Sequence, residues 1–159
     1  MLSHSMGVTK HPLFVDPSGL ASVPVDDALV VRLQASWAEL APYAARLVEH
    51  FYALLFEAHP RLRPLFPDDM EAQREKLAAS LWMVITGLSA PLTVNERLRE
   101  LGRDHVEFGA QAEDYPLVCE ALVGAMAEVA GSRWTAELDA DWRLAVRQVS
   151  AIMIAGTRG

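Results

Sequence analysis

Cysteine is nearly missing from this chain. Cys119 is the single thiol among 159 residues, so no internal disulfide can form, and no C-x-x-C-H run exists through which a prosthetic group would be attached covalently. Positive charge is also in deficit, with 14 Lys and Arg against 21 Asp and Glu and a net charge of −7. That balance offers no basic field to nucleic acid or anionic lipid, and neither is expected as a partner. Long hydrophobic runs are wanting too. The uncharged stretch from Leu77 to Asn95 is broken by Ser80, Thr86, Gly87, Ser89, Pro91 and Thr93. It is too polar for a membrane span and reads as a buried helix followed by a turn. The opening MLSHSMGVTK lacks the apolar core of a signal peptide, so a cytoplasmic setting is expected. There is no strand-like alternation, internal repeat or low-complexity run.

What is present is helical punctuation around one core. The chain is 52% hydrophobic and 22% charged, the profile of one globular domain. Residues 1–25 carry Pro12, Pro17, Gly19 and Pro24 with no sustained apolar period, and read as an N-terminal extension. His4 and His11 within it read as ordinary surface histidines. Residues 26–159 read as the domain itself. Asp26 or Asp27 suits the cap of a helix through Leu29, Leu33, Trp37 and Leu40, ended by Pro42. A second helix, Tyr43 to Ala58, places Leu47, Phe51, Leu54 and Leu55 on one face. Pro60 suits the first turn of a short helix ending near Phe66. Asp68 or Asp69 opens a long helix through Leu77, Leu81, Val84 and Leu88. Thr93 and Glu96 have the spacing of a capping box and predict a helix start there, with Gly109 closing it. Asp114 with Pro116 begins the next helix, which ends near Gly131, and Thr135 caps the last, through Leu138, Trp142, Val146, Val149 and Ile152. The expected fold is all-α, with about seven helices.

Leu98, Leu101, His105 and Phe108 succeed one another by three, four and three residues, one helix face. An imidazole on such a face is either a satisfied core histidine or a ligand to something lying on it. Neutral imidazole is the usual axial donor to haem iron, and its second ring N–H then needs an acceptor. The carbonyl of Leu101, one turn back, is within reach. The spacing of other residues favours the ligand. Phe66 follows Tyr52 by fourteen residues, Gln73 follows Phe66 by seven, Leu77 lies one turn further, and His105 comes 32 after Gln73. With these positions set in HFYALLFEAHPRLRPLFPDDMEAQREKL and LRELGRDHVEFGAQAEDYPLVCEAL, the chain from Asp26 onward resembles the globin domain of bacterial flavohaemoglobins. It is similar as well to bacterial single-domain globins of the Hell's Gate type.

The resemblance implies a globin fold around a pocket for non-covalent haem b, with His105 as the iron ligand. It implies that Phe66 packs on the porphyrin and that Tyr52, Gln73 and Leu77 line the opposite, oxygen-binding face. Bound dioxygen carries partial negative charge on its outer atom, so a phenol O–H and an amide N–H can both donate to it. From the residues alone, Phe51 and Leu55 leave the facing of Tyr52 ambiguous, Gln73 can equally be exposed, and Leu77 can be plain core. Lys76 and Arg103 are candidates to meet the haem propionates, or are solvated surface charges. Tyr115, ten residues after His105, is implied to lie beneath the haem, though it also suits a helix start. In flavohaemoglobins a glutamate on the last helix polarises the histidine. Here no Asp or Glu follows Asp141, and Thr157 stands where that glutamate would be, so peroxidase-like chemistry is not expected. His50 lies about 200° from Tyr52 around its helix at ~100° per residue, and His59 precedes a proline, so neither competes with His105.

The expected function is reversible binding of dioxygen and other diatomic ligands, for storage, transport, scavenging or sensing. The alternative is a nitric oxide dioxygenase served by a separate reductase, because these 159 residues contain no G-x-G-x-x-G and no room for flavin or nicotinamide domains. A haem-free helical interaction module is the third reading, disfavoured by the spacing around His105.

Overall fold

A computed structural model describes residues 14–15, 21–22 and 26–157; His4 and His11 lie outside that set. The described part of the domain is α-helical: α1 Asp27–Leu40, α2 Ala44–Ala58, α3 Glu71–Thr86, α4 Pro91–Glu107, α5 Tyr115–Ala130 and α6 Ala136–Gly156. The seventh expected helix is the 3₁₀ segment Pro60–Leu65, where Pro64 inside the turn removes an amide donor that an α-helix would use. Phe14–Val15 pairs antiparallel with Ala21–Ser22, a short ladder that the sequence pattern did not announce. These two strands are numbered β1 and β2, and β2 lies against α4 and α6.

Short polar side chains start three of the helices by satisfying their first amides. Asp26 Oδ1 accepts from Ala28 and Leu29 at 3.0 and 3.4 Å. Thr135 Oγ1 accepts from Leu138 at 3.0 Å, while Asp69 Oδ1 accepts from the Glu71 amide at 3.0 Å from one residue before the cap position of that helix, which Met70 holds without a side-chain bond. The capping box expected at Thr93 and Glu96 does not form. Helix α4 begins three residues earlier, with Ala90 in the cap position and Pro91 as its first residue and no side-chain cap, and Glu96 instead pairs with Arg99 at 3.5 Å. Proline is preorganised for the first helical position. The earlier start also seats Val94 in the core against Gly87, where a Cβ would lie 2.3 Å from Val94 Cγ2.

The core runs through the inward faces of α1, α2, α5 and α6. Leu33, Leu47, Leu55, Met126 and Ile152 are fully buried within it, each side chain contributing about 1.5–3 kcal/mol by leaving water. Helix α2 packs on α5, and α4 lies along α6. That second crossing is very close. A Cβ at Gly102 would stand 1.9 Å from the Met153 carbonyl oxygen, and one at Gly156 would stand 2.5 Å from that of Arg99. The helix carrying His105 is thus seated on α6 backbone to backbone. The Arg32–Asp141 ion pair at 2.8 Å and the Trp142 Nε1–Ser36 Oγ hydrogen bond at 3.0 Å tie α1 to the same helix. No helix among the described residues is long and apolar enough to cross a membrane.

Candidate functional site

Tyr52 settles the question its neighbours left open. It points inward from α2 and is 6% exposed. Its ring meets Phe66 edge-on at 5.6 Å between centroids and stacks on Phe56 at 5.7 Å. Gln73, from the first half of α3, donates its side-chain N–H to the Tyr52 hydroxyl oxygen at 3.2 Å. Three residues singled out by spacing are therefore brought together, from α2, the turn after Pro60–Leu65, and α3. Leu77, one turn beyond Gln73, is half-buried and packs against the core. Burial pushes the Tyr52 phenol above its ordinary pKa of 10.0, with the Gln73 bond working in the opposite direction. At neutral pH the group is a protonated phenol.

Phe56 and Arg63 complete this wall, and neither is among the residues that spacing marks. Phe56 sits one helical turn after Tyr52, on its face, and meets Phe66 edge-on at 5.3 Å; the i, i+4 spacing was the available signal. Arg63 lies over the Phe56 ring at 5.3 Å and donates to the carbonyls of Phe66, Pro67 and Asp68 at 3.3, 2.9 and 3.0 Å. It gathers the chain into the corner that aims Phe66 at Tyr52. No sequence rule marks an arginine for that task.

His105 stands near the end of α4, on the exposed part of the face that begins with buried Leu98 and half-buried Leu101. Its Nδ1 lies 2.7 Å from the Leu101 carbonyl oxygen. A carbonyl only accepts, so Nδ1 carries a proton, and in the neutral ring Nε2 is the nitrogen with the lone pair. One and three residues further along, Val106 and Phe108 are 52% and 69% exposed. The helix ends immediately afterwards. The His105 carbonyl accepts from Ala110 at 2.9 Å while Gly109 adopts φ +98°, a backbone region that favours glycine.

The remaining expected site residues are more dispersed. Lys76 is exposed on α3. Arg103, also exposed, reaches the Gly156 carbonyl at the end of α6 at 3.5 Å, and no described contact joins it to Lys76. Tyr115 opens α5 half-buried, its phenol pushed upward in pKa first by burial and then by the neighbouring Asp114 charge. Thr157 closes α6 by donating to the Ile154 carbonyl.

Comparison with known proteins places these elements in a family. The globin family model matches residues 49–153, a segment that contains Tyr52, Phe66, Gln73, Leu77, His105 and Tyr115. A flavohemoprotein of Rhizobium meliloti is 27% identical over 117 residues, covering 72% of this chain and 29% of the relative. The chain spans less than a third of the length of that relative and of the similar flavohemoproteins from Bordetella. Among solved structures, an engineered carbene transferase, a candidate nitric oxide dioxygenase from Rhodothermus marinus, superposes with a TM-score of 0.74 at 28% identity, covering 82% of this chain and 91% of that one. A flavohemoglobin from Malassezia yamatoensis with bound FAD and heme gives 0.72 at 20% identity over 86% of this chain and 37% of its own, a likeness of fold. The chain belongs to the globin family.

Proposed function

We propose that this globin binds haem b non-covalently through His105 and holds dioxygen reversibly on the side of Tyr52 and Gln73. The observation that carries the reading is the Nδ1 bond from His105 to Leu101, which in the neutral ring directs the Nε2 lone pair away from the helix, on an exposed imidazole followed in the chain by exposed Val106 and Phe108. That donor, on a helix face continued by Leu98, Leu101 and Phe108, fits a flat, largely apolar prosthetic group with a metal at its centre. Haem supplies an iron able to take a diatomic gas reversibly; the protein supplies the rest. His105 donates its lone pair. Tyr52 uses its oxygen to accept from Gln73 and so has its own hydrogen to give to a polar ligand. Phe66 and Leu77 keep water away from that hydrogen bond. Lys76 and Arg103 serve the propionates, and Tyr115 packs on the histidine side. Absorbance at the Soret band before and after His105→Ala tests the assignment. The wild-type spectrum should be strong and the variant should lose haem; an unchanged, stable spectrum in the variant rejects His105.

A second reading is nitric oxide dioxygenation with electrons from a separate reductase. It draws on the likeness to the candidate nitric oxide dioxygenase of Rhodothermus marinus and to flavohemoproteins longer than this chain. Sustained nitric oxide consumption on adding a generic reductase and reduced nicotinamide would favour it over simple oxygen storage.

A further inference from the structure

The turn that leads to Phe66 and the link that follows His105 touch each other at two places. Arg61, in the Pro60–Leu65 turn, donates from its guanidinium to Asp114 Oδ1 at 3.2 Å. Leu65 Cδ2 stands 3.1 Å from where a Cβ on Gly109 would lie, so that glycine also makes room for the approach. Asp114 is a buried acid, 7% exposed, and its second oxygen accepts from the Gln111 amide at 3.0 Å within a reciprocal capping box. One carboxylate thus works in two directions. Oδ2 folds the link that leaves α4, and Oδ1 holds the turn that delivers Phe66 to Tyr52.

The two partners are unequally placed. The Arg61 side chain is 62% exposed and the Asp114 side chain 10%. The guanidinium can therefore exchange its bond for water at little cost, as exposed cations do. The carboxylate is mostly buried, and a charge-assisted bond to it is among the stronger kinds. Separation of the two loops is opposed mainly from the Asp114 side.

We propose that Arg61 and Asp114 form a clasp between the Pro60–Leu65 turn and the link that follows α4, with Arg61 as the positioning residue that holds the Phe66 turn against the link behind His105. The proposal rests on the haem reading for its consequence: with haem held between Phe66 and His105, parting of the two segments would open a way out for it. Its physical core, the docking of one loop on the other, does not depend on haem.

Arg61→Gln removes the cross-loop bond and leaves the Asp114–Gln111 cap in place. Transfer of haem from the loaded protein to excess apomyoglobin should become about threefold to tenfold faster, the scale of one charge-assisted bond on a buried acid. Arg61→Lys, which keeps a charge but not the fork, should fall between. Hydrogen exchange on the haem-free protein supplies the independent readout. Amides of Leu65, Phe66 and residues 109–114 should exchange faster, with the α2, α5 and α6 cores and the melting temperature unchanged. Unchanged exchange in those loops overturns the clasp, and so does a uniform loss of protection across the helices, which would make Arg61 a general stabiliser. If the wild-type chain takes up no haem, the haem reading fails, while loop-confined exchange in Arg61→Gln still supports the clasp.

Discussion

A phenol that accepts a hydrogen bond still has its own hydrogen to give. Gln73 donates to the Tyr52 oxygen, so under the proposed function the amide would act on a bound ligand chiefly by holding the ring, and the two residues should behave as one unit. Tyr52→Phe should speed oxygen release by about tenfold, the loss of one buried bond of ~1.5 kcal/mol. Gln73→Leu should do less, and adding it to Tyr52→Phe should change little, because the residue it positions is already gone. Stopped-flow release into dithionite measures all three, and wild-type release by Tyr52→Phe would mean the hydroxyl does not reach the ligand. Since burial holds this phenol above its ordinary value of 10.0, release should also be flat across neutral and mildly alkaline pH. On the other side, the partner of His105 is a neutral carbonyl and no acid follows Asp141. Resonance Raman on the ferrous protein should accordingly give an iron–histidine stretch in the range of oxygen-storing globins, not the higher range of peroxidases.

The elements are positioned by contacts that tolerate no extra atoms. Between α4 and α6 the approach is backbone on backbone, so Gly102→Ala drives a Cβ into the Met153 carbonyl, which cannot swing aside as a side chain would. It should cost about 1–3 kcal/mol or more, the scale of overpacking, and displace α4 with His105. Chemical denaturation of the haem-free protein should show an earlier midpoint, and a variant as stable as wild type would mean the helices part without penalty. The start of α4 teaches the complementary lesson. Thr93 and Glu96 satisfy a local rule, yet Pro91 and the burial of Val94 against Gly87 begin the helix earlier. A capping box is worth about a kilocalorie, less than leaving a valine in water together with a misplaced helix.

Across the whole molecule, ion pairs set how stability responds to acid. Asp139 at the start of α6 accepts from the Arg143 guanidinium at 2.7 Å and from the Trp134 indole at 3.2 Å, and these hold its carboxyl below the ordinary 3.8, the Arg143 bond first. A carboxyl lowered by folding stabilises the folded state above its unfolded value, and that contribution fades as pH falls through the lowered one. Asp139→Asn should therefore melt below wild type at neutral pH, with the gap closing under pH 3.8; a gap constant with pH would mean the charge is immaterial. Here the division between sequence and structure is plain. The sequence by itself determined features that lie within one helical turn: the caps at Asp26 and Thr135, the stop at Gly109, and the Leu101 carbonyl beneath His105, because each depends only on a 3.6-residue period and local amide geometry. The inward facing of Tyr52, its bond to Gln73 across 21 residues, and the Arg61–Asp114 pair across 53 were decided only by the tertiary structure. Those contacts follow from how separate helices cross, and the close packing that fixes each crossing sums over residues far apart in the chain.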